Sequence, residues 1–336
     1  MSFEALRVRL RQRIASLIAE WKQPVPFDWR SVVAIIAGAV ILMPLTYRLP
    51  MLGYEWHFYH NGTIGGNYPP YLHPVIRPFT FMEDWRLSYA LVAGILLMSV
   101  AVVTHREARQ DTRSARLGAA LLALFSAPVM MLLWVGNVSS LTVFSLAALP
   151  IGIPLALVQP HITPWAIVSR RQWLIWGAAF GILTLLIWGP WPLRLINVPD
   201  VKMEHPIAMG WRRIGWPFLV IGLVMLAFSN LDPLRLMAAG AFLTPYTLQV
   251  HLVVLIPALG RVNGWRRVAL WLCSWLLFLP GMFATDWSKY LAMVFPLTVW
   301  WMLRPRQQRS EQRSEHQEEL ARLQPEIKEN PQAVEA

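Results

Sequence analysis

A succession of long apolar runs constrains the fold of this chain more than any other feature. About ten runs follow one another between residues 31 and 303. A helix that spans a bilayer needs about 20 mostly apolar residues, so such runs are typical of transmembrane helices. They lie near residues 31–50, 87–104, 118–136, 139–158, 173–190, 214–229, 233–246, 247–260, 268–285 and 288–303. The sequence predicts an all-α fold, a polytopic transmembrane bundle of about ten spans, with 233–260 as two short Pro-broken helices or one hairpin.

Composition excludes several classes of protein. Of the 336 residues, 56% are hydrophobic and 15% charged, whereas soluble domains average about 45–50% apolar and 25% charged residues. This argues against a soluble enzyme, a nucleic-acid-binding domain and a disordered chain. The single cysteine, Cys273, cannot form an intramolecular disulfide, which argues against a secreted disulfide scaffold.

Two polar segments flank the predicted transmembrane domain of residues 31–303. Residues 1–30 place a cationic face opposite an apolar stripe, which predicts an amphipathic helix at the membrane surface. Its stripe consists of Leu6, Leu10, Ile14, Leu17 and Ile18. Residues 304–336 are polar and rich in Gln, Glu and Arg, and we expect a solvated tail.

The distribution of Lys and Arg predicts the orientation. With the N-terminus inside and ten spans, the inner segments hold 22 of the 30 Lys and Arg residues. Cytoplasmic loops carry such an excess, so both termini are expected to be cytoplasmic. The net charge of +11 is then explained without a nucleic-acid partner. The long loops near 51–86 and 190–213 face outward in this arrangement.

The first outer loop contains the densest group of candidate functional residues. Glu55 is flanked by aromatic residues just beyond the first span, where partial desolvation would favour a general base. A solvated surface carboxylate is the simpler alternative. The aromatic residues suit the stacking of a sugar ring, or equally an interfacial aromatic belt. His57 and His60 share one helical face, but no clear further ligands accompany them, so no metal is expected.

The second outer loop supplies a pair of cations. Arg212 and Arg213 precede a span and are suited to holding a phosphate by charge-assisted hydrogen bonds. The alternative is a non-specific contact with lipid headgroups.

Several short motifs occur together in the order found in one enzyme family. In this sequence they are Glu55, Tyr68-Pro69-Pro70, Gly136-Asn137, Gln159-Pro160, Thr244-Pro245-Tyr246 and Ile256-Pro257-Ala258-Leu259. With these motifs, residues 50–260 resemble the GT-C-type integral membrane glycosyltransferases, in particular glycosyltransferase family 87 (the DUF2029 group), which is similar to the polyprenol-phosphate-mannose-dependent mannosyltransferases. The family usually has Asp where this chain has Glu55, and Lys where it has Gln159.

The resemblance implies transfer of a sugar, mannose being the expected one, from a polyprenyl-phosphate donor to an acceptor at the outer membrane face. Glu55 would act as the base. Arg212 and Arg213, with Arg77 next, would stabilise the leaving phosphate without a metal or another cofactor. The sugar or acceptor pocket would be lined by His57, Tyr59, Tyr68 and Asn137. The expected location is the bacterial cytoplasmic (inner) membrane.

Two other classes of function remain open. A non-catalytic GT-C-like subunit of a membrane complex would share the fold, and the two departures from the family motifs fit this reading. A transporter or lipid flippase predicts charged residues at mid-membrane depth and inverted repeats. The interiors of the predicted spans contain few Asp, Glu, Lys or Arg, so the transporter is the weakest hypothesis.

Overall fold

The computed structural model describes residues 3–49, 53–62, 68–158, 161–196, 208–283 and 285–303. The predicted tail at 304–336, the motif at Gln159-Pro160 and the middle of the second outer loop lie outside these residues.

All regular structure in the described ranges is helical, which confirms the all-α prediction, and no strand occurs among them. The α-helices are α1 Phe3–Lys22, α2 Trp29–Arg48, α3 Tyr54–His60, α4 Leu72–Ile76, α5 Trp85–Glu107, α6 Arg113–Leu124, α7 Ala127–Val135, α8 Thr142–Ala147, α9 Ile153–Ala156, α10 Pro164–Ile167, α11 Arg171–Trp188, α12 Trp191–Ile196, α13 Trp211–Ile214, α14 Trp216–Ala227, α15 Pro233–Leu243, α16 Trp265–Ser274, α17 Leu279–Phe283, α18 Asp286–Ala292 and α19 Val294–Met302. The 3₁₀-helices are Arg77–Phe79, Val138–Leu141, Gln249–Gly260 and Trp275–Phe278.

Three helices among the described residues, α2, α5 and α11, are long and apolar enough to cross a membrane. The pair α6 and α7, bent by 46° at its break, counts as a fourth if it forms one span. Only 17% of the apolar window of α2 and 11% of that of α11 is buried, against 72% for α5. The chain therefore has helices of the length and apolarity found in integral membrane proteins.

Helix α5 is the centre of the bundle. It packs against α2, α6, α8 and the 3₁₀-helix Gln249–Gly260. At Gly94 the backbones of α5 and α2 approach so closely that a Cβ atom on Gly94 would lie 2.8 Å from the carbonyl oxygen of Ala39. The hydroxyl of Thr46 donates to the carbonyl of Ala90 across the same pair, at 2.8 Å. Small residues at such a contact are what close helix packing in a membrane requires.

Several predicted spans are broken rather than continuous. The run at 139–158 forms a 3₁₀-helix, α8 and α9, interrupted near Pro150. The run at 247–260 forms a 3₁₀-helix that contains Pro257 and is separate from α15. Residues 233–260 therefore form two short helices, which was one of the two alternatives for this segment. Proline lacks the backbone N–H and clashes with the preceding turn, which accounts for breaks in apolar sequence.

Ion pairs with little exposure to solvent stabilise one region of the bundle. This region contains the connection between α5 and α6 and the N-terminus of α15. The guanidinium of Arg267 donates to the carbonyls of Leu259 and Val262, both at 2.9 Å, and pairs with Asp111. Asp232 caps the N-terminus of α15 and pairs with both terminal nitrogens of Arg261. These side chains satisfy helix-terminal backbone groups and one another's charges, as buried charges require.

The N-terminal helix α1 contacts α11. Arg170 donates to the carbonyl and the carboxylate of Glu20, at 2.7 and 2.8 Å. Apolar side chains at Val8, Ile14 and Ile18 remain about half exposed. A basic helix with exposed apolar residues fits a position in the interface between bilayer and water.

The contact at Gly94 gives the first prediction. Gly94→Ala forces the backbones of α5 and α2 apart, so we expect a loss of about 1–3 kcal/mol in the free energy of unfolding. The matched control is Gly181→Ala on α11, where an added Cβ meets no atom within 4 Å. Thermal unfolding of both variants in detergent measures the difference, and equal midpoints would contradict the close-packing argument.

Candidate functional site

Two glycines bring the first outer loop against the end of α7. Gly53 (φ 52°) precedes α3 and Gly136 (φ 75°) ends α7, both in the left-handed conformation that glycine adopts without strain. The backbone N–H of Gly53 donates to the carbonyl of Trp134 at 3.0 Å. A Cβ atom on Gly136 would lie 2.8 Å from the Cα of Gly53. The residues that follow each glycine are therefore neighbours.

Four side chains form a hydrogen-bonded group at this contact, which we call the Glu55 cluster: Glu55, Tyr59, Tyr68 and Asn137. The amide nitrogen of Asn137 donates to the Glu55 carboxylate and to the Tyr59 hydroxyl, the latter at 3.3 Å. The hydroxyls of Tyr59 and Tyr68 are 2.7 Å apart. Asn137 and Tyr59 are buried, and Glu55 and Tyr68 are partly exposed.

The orientation of the Asn137 amide is fixed from its other side. Its side-chain oxygen accepts from the backbone N–H of Ser139 at 2.9 Å and from the Ser139 hydroxyl at 2.6 Å. The amide N–H₂ is thereby directed at Glu55, and a hydrogen bond from an amide holds a carboxylate without neutralising it. Glu55 in this arrangement is suited to accept a proton.

Helix α3 is anchored on α5 by a buried tryptophan. The ring of Trp56 is fully buried and its indole N–H donates to the Ser88 hydroxyl at 2.9 Å. Trp56 lies next to Glu55, so α5 sets the position of the carboxylate.

The loop between α15 and Gln249–Gly260 forms a further wall of the site. Tyr246 in this loop lies within electrostatic range of Glu55 and Tyr68. The same loop pairs with the end of the second outer loop, since the backbone N–H of Met209 donates to the carbonyl of Thr247 at 2.9 Å and that of Trp211 to Thr244 at 3.2 Å. Both outer loops therefore meet near the Glu55 cluster.

Burial raises the pKa of both tyrosines in the Glu55 cluster. For Tyr59 burial is the largest cause, followed by the neighbouring Tyr68 and Glu55. The pKa of Tyr68 is raised to about 12, mainly by burial, with a further increase from the charge of Glu55. Both hydroxyls thus stay protonated at neutral pH and remain hydrogen-bond donors.

Several predicted site residues lie outside the Glu55 cluster. Three of them are the exposed side chains of Arg77, Arg212 and Arg213. The ring of His57 stands edge-on to Trp85 at 5.1 Å, and its Nε2 lies 3.0 Å from the amide nitrogen of Asn61. Of the predicted site residues, the structure therefore brings together Glu55, Asn137 and the two tyrosines, Tyr59 and Tyr68.

Sequence reasoning missed two features of the structure, the position of Tyr246 near the Glu55 cluster and the burial of Lys289. In the sequence, the Thr-Pro-Tyr motif is the signal that marks Tyr246 as a candidate site residue. In the sequence, Lys289 is one of the eight Lys and Arg residues of the predicted outer segments. In the structure its side chain is fully buried, with its ammonium 3.1 Å from Asp286. Its helix, α18, contacts α13, which carries Arg212 and Arg213.

No protein family, no curated protein and no solved structure matches this chain.

The protonated tyrosines give the second prediction. Because the pKa of Tyr59 and of Tyr68 is higher in the folded protein than the ordinary value of about 10, their contribution to stability is present below pH 10 and is lost as the pH rises towards 12. In an ultraviolet titration, Tyr59→Phe and Tyr68→Phe should leave the absorbance change near pH 10 unaltered. The control is Tyr290→Phe, which removes an exposed tyrosine outside the Glu55 cluster. A reduced change near pH 10 in either cluster variant would show that its tyrosine titrates normally.

Proposed function

We propose that the chain is a GT-C-like membrane glycosyltransferase that moves a sugar, with mannose as the first candidate, from a polyprenyl-phosphate donor to a hydroxyl acceptor at the outer membrane face. The observation that carries the proposal is the carboxylate of Glu55, which accepts from the amide of Asn137 beside the hydrogen-bonded hydroxyls of Tyr59 and Tyr68. The order of motifs around Glu55 supports the same class.

In the proposed reaction Glu55 removes the proton from the acceptor hydroxyl as its oxygen attacks the anomeric carbon of the donor sugar. The bond from that carbon to the phosphate oxygen breaks, and the electron pair leaves with the polyprenyl phosphate. Attack opposite the leaving group inverts the anomeric configuration. A positioned base of this kind contributes about 10²–10⁴-fold to a rate.

Cations of the outer loops would stabilise the leaving phosphate, so the reaction needs no metal. Arg212 and Arg213 are the first candidates because α13 directly follows the segment that pairs with the Tyr246 loop. Arg77, on the first outer loop, is the next. Their exposure suits groups that meet a lipid-linked phosphate arriving from the membrane surface.

Hydroxyl and amide groups of the Glu55 cluster would bind the sugar or acceptor. Tyr59 and Tyr68 offer protonated hydroxyls and aromatic faces, and Asn137 offers its amide. His57 would contribute from the middle of α3, next to Trp85.

The fold that we propose for this activity has about ten spans, with residues 31–303 as the transmembrane domain and both termini in the cytoplasm of a bacterial cell. Support comes from the ten apolar runs and the excess of Lys and Arg in the inner segments. Short apolar helices such as α14 and α15 would combine with their neighbours into broken spans. The partners are then the bilayer, the lipid-linked sugar and other membrane subunits.

The orientation of α5 provides the third prediction. In a Cys273→Ala background, a cysteine introduced by Glu83→Cys lies just before α5, and one introduced by Arg109→Cys lies just after it. Both native side chains are exposed. A membrane-impermeant maleimide should label the first site in intact cells and the second only after permeabilisation. Labelling of both sites in intact cells would refute the crossing, and the reverse pattern would invert the topology.

A non-catalytic subunit of a membrane complex is the second candidate function. It is favoured by the exposure of Arg77, Arg212 and Arg213 and by the bond between Glu55 and Asn137, which also serves to join α3 to the end of α7. In such a subunit the arginines would be contacts for other chains.

Replacing the proposed base is the fourth prediction. Glu55→Gln keeps the size and the hydrogen-bonding capacity of the side chain but removes its basicity, so the rate of transfer should fall by about 10²-fold or more. The assay uses the purified full chain, radiolabelled polyprenyl-phosphate-mannose and mixed glycolipid acceptors. The control is Glu83→Gln, an exposed carboxylate of the same outer loop.

The same assay distinguishes the two candidates. Loss of transfer in Glu55→Gln alone establishes the base, and a raised KM for the donor in Arg212→Gln or Arg213→Gln assigns the phosphate contact. Unchanged transfer in Glu55→Gln removes the base assignment. A folded protein that transfers nothing and purifies with other chains favours the structural subunit.

A further inference from the structure

An apolar groove runs between α14 and α19, on the surface of the bundle. It encloses about 510 Å³ and is lined mainly by Val220, Ile221, Val224, Leu297, Trp300 and Trp301. Its one polar lining side chain, Thr298, donates its hydroxyl to the carbonyl of Val294 within the same helix, at 2.8 Å. The groove therefore offers hydrocarbon contacts along its length.

Trp300, which lines the groove, connects it to a buried cation. The indole N–H of Trp300 donates to the carbonyl of Met225 at 3.0 Å and lies 3.1 Å from the Ser229 hydroxyl. The guanidinium carbon of Arg235 lies 4.5 Å from the centre of the Trp300 ring. A cation–π contact therefore holds Arg235 beside Trp300.

The guanidinium of Arg235 is incompletely satisfied. Arg235 is only 6% exposed, and neither its Nε nor its Nη1 has a hydrogen-bond partner among the described residues. A buried cation without partners is costly unless an anion or an acceptor reaches it.

The charges around Arg235 leave a positive excess. Asp232 is engaged by both terminal nitrogens of Arg261, which also lies 3.7 Å from Glu107. Arg13 of α1 reaches the same corner and donates to the Asn230 side chain at 2.6 Å. Three guanidinium groups thus face two carboxylates, and an anion at this corner would balance the charge.

We propose that this corner and the groove together form a binding site for an anionic glycerophospholipid. The phosphate lies against Arg235 and Arg13, and an acyl chain occupies the groove between α14 and α19. The occupant is identified by its two chemical parts, since a lipid is the molecule that joins an anionic group to a hydrocarbon chain at the membrane surface. The amphipathic α1 places Arg13 at the level of the lipid headgroups, where basic residues attract anionic lipids.

The site is separate from the Glu55 cluster and does not depend on the proposed enzymatic function. It would tie α1 to the loop between α14 and α15 through a lipid that both contact.

Competitive retention of lipids tests the proposal. The full chain is purified in detergent containing equal amounts of phosphatidylglycerol and phosphatidylcholine, and the lipids that remain bound are counted by native mass spectrometry. The wild-type chain should retain phosphatidylglycerol selectively. Arg235→Gln and the exposed Arg13→Gln should each weaken retention about tenfold, which corresponds to about 1.4 kcal/mol. Val224→Trp, which fills the groove, should have the same effect.

Matched controls separate this site from general effects. Arg266→Gln removes an exposed cation elsewhere, and Leu186→Trp enlarges an exposed apolar residue of α11, so neither should change retention. Inorganic phosphate should not displace the lipid, because it lacks the chain that fills the groove. Because Arg235 is buried, Arg13→Gln and Val224→Trp give the answer if Arg235→Gln does not fold.

Three outcomes would overturn the proposal. Equal retention of phosphatidylglycerol and phosphatidylcholine would show that the site does not select an anionic lipid. Displacement by inorganic phosphate alone reduces it to a free anion site. A change of oligomeric state in Val224→Trp, with lipid retention unaltered, assigns the groove to a contact between proteins.

Discussion

The close approach of Gly53 to Gly136 is the constraint on which the candidate site depends. A side chain at either position would meet backbone or ring atoms, since a Cβ on Gly53 would lie 2.5 Å from the Tyr89 ring. The contact joins the beginning of α3 to the end of α7 and so places Glu55 beside Asn137. The Tyr89 hydroxyl secures this arrangement by donating to the carbonyls of Leu132 and Leu133, at 2.9 and 2.8 Å.

Side chains also satisfy backbone groups at other helix ends of the bundle. Apolar surroundings offer no water to unpaired backbone groups, and each such group left unsatisfied costs several kcal/mol. Arg267 therefore donates to the carbonyls of Leu259 and Val262 at the end of the 3₁₀-helix Gln249–Gly260. The broken helices are compatible with an apolar bundle because side chains from neighbouring elements supply these partners.

The sequence was sufficient for the class of secondary structure and for part of the site. Apolar runs predict helices because helices satisfy their own backbone, and Glu55, Tyr68 and Asn137 were found through their local motifs. The break near Pro150 was less accessible, since a proline in an apolar run either kinks a helix or ends it, and packing decides which. Pro257, by contrast, lies inside the 3₁₀-helix Gln249–Gly260. The exposure of Arg212 and Arg213 and the burial of Lys289 also depend on packing, because all three residues have similar sequence surroundings near the ends of apolar runs.

The two charged regions of the structure differ in how their charges are balanced. The corner around Asp232 contains three guanidinium groups and two carboxylates, with Arg235 buried and only partly satisfied. In the Glu55 cluster the neutral amide of Asn137 donates to a carboxylate. A buried guanidinium whose hydrogen bonds are only partly satisfied attracts an anion. We therefore propose proton transfer at the Glu55 cluster and anion binding at the corner around Asp232.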